Sequence, residues 1–225
     1  MEYNAKENLY SFVSCYREEL KLIKYPISTI DFCNNDETTK LIYRKFNTPG
    51  LCGIALPGRK VDTIILNANR SEYEQNFDCG HELIHLLKHR NTQCESFMCM
   101  NNNQNAFIEW EANEGSAELL LPYTELLPII EKNKYKLTTY QQIHDFKVSL
   151  SNKFHVPIAV VENRIENLKY ETFQYLNGTP LSDIEILSNS QQRKRNITVK
   201  SLNDIENDLF FGKEFTQWRW NKRCS

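Results

Sequence analysis

The chemistry that this chain can offer is concentrated at Gly80-His81-Glu82-Leu83-Ile84-His85. Histidines four apart lie on one face of a helix, so two imidazoles can reach a single ion. Glu82 follows the first of them, where its carboxylate can reach a water on that ion without binding the ion itself. The pattern points to zinc, which brings the pKa of its water towards about 7 so that a nearby base can deliver hydroxide to a carbonyl. A match of this kind is uncommon by chance in a chain with five histidines.

A catalytic zinc keeps one open position and takes a third protein ligand. Downstream, Ile108-Glu109-Trp110-Glu111-Ala112-Asn113-Glu114 offers three carboxylates. Glu109, Ala112, Asn113 and Ser116 share one helical face, and Ala112, Gly115, Ser116 and Ala117 are small enough to bring that helix close to a neighbour. Glu111 and Glu114 are rivals on other faces, and solvated charge is the bland reading of all three. Periodicity leaves the choice open. Asp78, three residues before His81, could orient an imidazole, since metal-bound histidines require a hydrogen-bond partner. It could equally face solvent, and that second reading is preferred. Cys94 and Cys99 are spaced more widely than the tight pairs of zinc knuckles, so they are not read as a second site.

These residues need elements to hold them. Leu9, Phe12, Val13, Tyr16, Leu20 and Ile23 recur at helical spacing over 7–24, and Pro26 ends that helix. Three β-type runs follow at 41–46, 51–56 and 63–67, punctuated by Pro49-Gly50 and Pro57-Gly58, which predicts a small antiparallel meander. Ser71-x-x-Glu74 is a capping-box signature and opens the helix that carries His81 and His85. Tyr73, Phe77, Gly80, Ile84 and Leu87 form its stripe, and Gly80 implies a close neighbour, because glycine costs about 1 kcal/mol against alanine there. Further helices are predicted at 107–121 (stopped by Pro122), 124–132, 138–154 and 157–168. Leu176-Asn-Gly-Thr179 reads as a hairpin turn, 191–196 as a polar basic run, and Leu209, Phe211, Phe215 and Trp218 as one face of a closing helix. The fold class is therefore α+β: a small antiparallel sheet packed on a helical bundle, with a C-terminal appendage.

Composition sets the outer bounds. With 225 residues, 40% of them hydrophobic and 25% charged, the chain can build a core. A formal net charge of −2 gives no overall basic surface for nucleic acid. Residues 138–168 could suggest a helix-turn-helix, but Glu162, Asn163, Glu166 and Asn167, with Arg164 the only cation, would repel phosphate, so structural packing is preferred. Arg193-Lys-Arg195 and the mixed basic and aromatic run 217–223 are read as a solvated loop and a docked terminal helix rather than a single-strand binding surface. The opening residues show no basic flank with an apolar run, and no apolar stretch is long enough to span a membrane. Seven irregularly spaced cysteines then read as reduced thiols, and a cytoplasmic location is expected.

The segment from Gly80 to His89, followed by Glu109-x-x-Ala112-Asn113 and Leu119-Leu120-x-Pro122, resembles the ImmA/IrrE family of zincin-like metallopeptidases. Cys52-Gly53-Ile54, Ile64-Ile-Leu-Asn67, Phe154-His-Val-Pro157 and Arg164-Ile165 fit the same pattern, so the resemblance covers about residues 8–168. It implies a metallopeptidase domain over 1–170 and an appendage over 171–225. It also implies one zinc per chain held by His81, His85 and Glu109, with Glu82 as general base. His89, at the position where the family often carries a histidine, drifts round the helical face. It is read, like Asn113, as standing behind the ligands rather than among them. Gly115-Ser116 departs from the Phe-Ala usual in the family and bears on local packing. By resemblance the substrate is a specific protein, such as a helix-turn-helix repressor or related regulator. The competing reading is a non-catalytic zinc-containing regulatory or antitoxin-like binding protein, for which an intact Glu82 would have no use.

Overall fold

A computed structural model describes residues 4–22, 24–48, 50–90 and 103–212, the first three of the last segment by backbone alone. The order along the chain is α1 (Ala5–Glu19), α2 (Thr29–Asn35), β1 (Thr39–Arg44), β2 (Gly53–Leu56), β3 (Asp62–Asn67), α3 (Glu72–Lys88), α4 (Asn103–Leu120) and α5 (Tyr123–Asn133). Then come α6 (Tyr140–Phe154), α7 (Ile158–Asn167), α8 (Lys169–Leu176), α9 (Asn189–Lys194) and α10 (Leu202–Phe210). The class is α+β. Among the described residues no helix is long and apolar enough to cross a membrane.

The sheet departs from the expected meander. Its order is β1-β3-β2, with β3 antiparallel to β2 but parallel to β1. The 45–52 link therefore passes the place that β3 later fills. Only the β2–β3 turn is a local hairpin. The physical reason lies in β3, whose Ile64 and Leu66 are fully buried; the central position pairs both its edges, and α3 packs against it.

The chain divides into two units, 9–120 with 152–157, and 1–8 with 121–151 and 158–225. In the first, Leu9, Val13, Cys33, Ala55, Ile64, Leu66, Ile84, Ala112 and Leu119 form the core. α3 runs through it, touching α2, α4, β2 and β3. A helix so placed cannot be amphipathic in the ordinary way, and Asn76, Asp78, Glu82 and His85 are buried along with its apolar residues. Each must then find a polar partner. Asn76 uses its whole amide: Nδ2 donates to the Ile27 and His155 carbonyls at 3.0 and 3.1 Å, and Oδ1 accepts from the Thr29 N–H at 2.9 Å. Gly80 has the close neighbour its presence implied, because a Cβ there would stand 2.5 Å from Ser116 Oγ. Ser116 in turn donates to the Phe77 carbonyl at 3.0 Å, so the small Gly115-Ser116 pair fits α4 tightly against α3.

In the second unit α5 packs on α8, and α7 on α8 and α10. Its buried cations are matched: Lys6 meets Glu171 at 2.7 Å, and Lys147 pairs with Glu206. Arg164 corrects the sequence reading. It is not on the outer face of α7 but fully buried, with Nε donating to the Leu121 carbonyl at 3.0 Å. The 176–179 hairpin is also corrected: Asn177 and Gly178, the latter at φ +95°, end helix α8, and Asn-Gly supplies a left-handed residue for that purpose as readily as for a hairpin. The 191–196 run is not a free loop, since a capping box from Ser188 starts α9 and Gln191 and Gln192 are buried. Cys94, Cys99, Phe215, Trp218 and the 217–223 run lie outside the described residues.

Candidate metal centre and active site

Ser71 starts α3 as the sequence required: its hydroxyl accepts from the Glu74 N–H while the Glu74 carboxylate accepts from the Ser71 N–H. Ten residues on, the helix presents His81, His85 and His89 in one row, the rings of the first two centred 4.7 Å apart. α4 brings Glu109 across to the first two. His81 Nε2 and His85 Nε2 are 3.0 Å apart, and they lie 3.3 and 3.5 Å from the two Glu109 oxygens. Tetrahedral zinc with bonds of about 2.0–2.1 Å requires ligand atoms about 3.3–3.4 Å from one another. The observed 3.0, 3.3 and 3.5 Å bracket that value, each imidazole facing its own Glu109 oxygen. The three donors of this triangle are also the right types, two borderline nitrogens and a carboxylate, and no other such cluster occurs among the described residues.

The contacts behind the rings agree with this use. His81 Nδ1 lies 3.1 Å from Asn113 Oδ1, an acceptor, so the proton sits on Nδ1 and the Nε2 lone pair faces the triangle. His85 Nδ1 lies 3.0 Å from His89 Nδ1. Burial alone would raise the Glu109 carboxyl, but hydrogen bonds and charge from His81 and His85 hold it well below the usual carboxylate range. Burial draws His81 down, yet Glu109, the charge of Glu82 and the Asn113 contact together more than offset it and leave His81 raised; in His85 burial prevails and the shift is downward.

Glu82 sits to one side of the triangle and is 4% exposed. Burial pushes its carboxyl up to about 7, with the charges of Glu109 and Asp78 adding to the effect and His81 and the Ala55 N–H opposing it. Its Oε2 is buried with no hydrogen-bond partner among the described residues. Such an atom costs free energy and marks a place where a polar molecule belongs. Across from it is β2, where a Cβ at Gly53 would stand only 2.7 Å from Glu82 Oε1 and 2.9 Å from Cγ. The strand can lie that near only because residue 53 has no side chain.

A family model described as the IrrE N-terminal-like domain matches residues 38–166, more than half of the chain. The chain belongs to the ImmA/IrrE family. No curated protein matches the sequence. This is a family of metallopeptidases, and the matched segment contains every residue of the triangle together with Glu82, Gly53 and Asn113.

Of the residues singled out in the sequence, His81, His85, Glu109, Glu82, Asn113 and His89 come together. Asp78 is buried, not facing solvent, and its carboxylate is engaged by Arg70. Glu111 does not join the triangle: it lies 3.0 Å from His89 Nε2 and 2.9 Å from Lys88 Nζ. Glu114 is turned away to the Tyr10 hydroxyl. Sequence reasoning passed over Gly53 as a member of the site. Its signal was a glycine inside a strand pattern, which marks a close approach of the backbone without saying to what.

Proposed function

We propose that this ImmA/IrrE protein is a zinc-dependent metallo-endopeptidase. It cuts a peptide bond in a specific protein, with a helix-turn-helix repressor or related regulator as the substrate class that the family suggests. The observation that carries the reading is the His81–His85–Glu109 triangle with the buried Glu82 carboxylate beside it. One zinc ion held by these three would supply Lewis acidity, polarising a carbonyl and acidifying water. The remaining work falls to the chain. Glu82, with a carboxyl near pH 7, takes a proton from the attacking water and returns it to the departing nitrogen. Gly53 lets it stand where it does, and Asn113 and His89 keep the imidazoles turned. A cytoplasmic setting accords with Cys15, Cys33, Cys52 and Cys79 as thiols.

Elemental analysis of wild type and Glu109→Ala, joined to hydrolysis by wild type and Glu82→Gln, tests the proposal. A proteome-derived peptide library read by mass spectrometry supplies the cleavage assay. One zinc per wild-type chain, sharply weakened in Glu109→Ala, with cleavage lost but zinc kept in Glu82→Gln, is the expected result. Undiminished cleavage by Glu82→Gln would remove its role. Full zinc in wild type with no cleavage of any peptide would favour the binding-protein reading, and absence of zinc after reconstitution would remove both.

A further inference from the structure

The triangle uses one nitrogen of His85, and what stands behind the other is a second row of groups that the ligand set does not itself require. His89 closes α3 and is 3% exposed. Its Nδ1 faces His85 Nδ1 at 3.0 Å, and its Nε2 faces Glu111 Oε2 at 3.0 Å. The other Glu111 oxygen meets Lys88 Nζ at 2.9 Å. Glu111, 4% exposed, is thus held by a donor on each oxygen.

We propose that Glu111 is a positioning residue for the zinc site, acting through His89 on the ligand His85. The proposal rests on the zinc reading above. A carboxylate can only accept, so the His89 nitrogen facing it, Nε2, carries a proton. With the His85 Nε2 lone pair turned to the triangle, His85 Nδ1 carries that ring's proton and donates it to His89 Nδ1. One carboxylate therefore sets the tautomer and the ring plane two imidazoles away. Lys88 fixes the carboxylate itself. Carboxylates that hold a metal-bound histidine directly are worth about 10–100-fold in metal affinity; here a second imidazole is interposed.

The test is a double-mutant cycle on the full chain, Glu111→Met and His89→Phe, with zinc affinity measured by chelator competition and the visible spectrum of the cobalt-substituted protein as second readout. Each single change is expected to weaken zinc binding about 10–100-fold and to alter the cobalt bands. The pair together should cost no more than His89→Phe alone, because the effect of Glu111 passes through His89. Additive losses would overturn the proposal. So would a Glu111→Met protein with unchanged zinc affinity and cobalt spectrum, even if its metal-free form melted lower, since that is what a merely structural residue does. Should Glu111→Met fail to fold, the near-isosteric Glu111→Gln is expected to shift the same two readouts, and unchanged values would overturn the proposal equally. Wild type that takes up neither metal removes the zinc reading itself. Metal-binding wild type with unaltered variants removes only the relay.

Discussion

Adding one methyl group at residue 53 tests whether the β2 backbone is what sets the reach of Glu82. In Gly53→Ala the new Cβ would meet Glu82 Oε1 at 2.7 Å, against about 3.4 Å for ordinary contact. The shortfall is about 0.7 Å. Glu82 is 4% exposed and has little room to give way, so the carboxylate must turn or β2 must move. A misplacement of about 1 Å in a reacting group costs on the order of 100-fold in rate, equivalent to about 3 kcal/mol in the barrier. Overpacking costs roughly 1–3 kcal/mol of stability. The assay is kcat for a peptide that wild type cleaves, with zinc per chain measured on the same samples. A fall of about 100-fold with full zinc content is expected, because no ligand is touched. In a Glu82→Gln background the same change should add nothing. A kcat within about threefold of wild type, or a further loss in that background, would refute the idea that Gly53 works by admitting Glu82.

Other outcomes follow from the packing. Asn76→Asp replaces a donor by an acceptor opposite the Ile27 and His155 carbonyls; a loss of about 2–4 kcal/mol is expected in urea unfolding. Glu206→Gln leaves the buried Lys147 short of its main counter-charge and should cost roughly 3 kcal/mol by the same measure. Gly80→Ala, with its Cβ 2.5 Å from Ser116 Oγ, should destabilise by about 1–3 kcal/mol and be partly rescued by Ser116→Gly in thermal melts. Stripping zinc should lower the melting temperature, free metal at about a hundred times Kd being worth roughly 2.7 kcal/mol; coincident melts with and without chelator would count against a native zinc site.

The parts of this molecule that were legible in its sequence are those whose causes are local. Ser71 and Glu74 satisfy each other across one turn, so the start of α3 could be read directly, and the histidine spacing is a property of one helix. Strand order is not local. β3 enters between two strands already made, and nothing in 39–56 signals the space left for it. Burial of charge was misjudged for a related reason. Asp78 and Arg164 look like surface residues in any periodic reading, but α3 is covered on most sides, and the Leu121 carbonyl needed a donor. Glu111 was a rival ligand in the sequence because helical phase alone cannot tell which carboxylate reaches an ion and which reaches the histidine behind it.

One of the two carbonyls that secure Asn76 belongs to His155, in the six-residue return of the chain to the first unit. During translation all three proposed ligands exist once residue 109 is made, whereas that carbonyl arrives only after 121–151 have been synthesised. Until then the ribosome carries a complete donor set on α3 and α4, with Asn76 held by Ile27 and Thr29 but short of one of its acceptors. The turn of α3 before the two histidines is therefore completed only by a residue made well after Glu109.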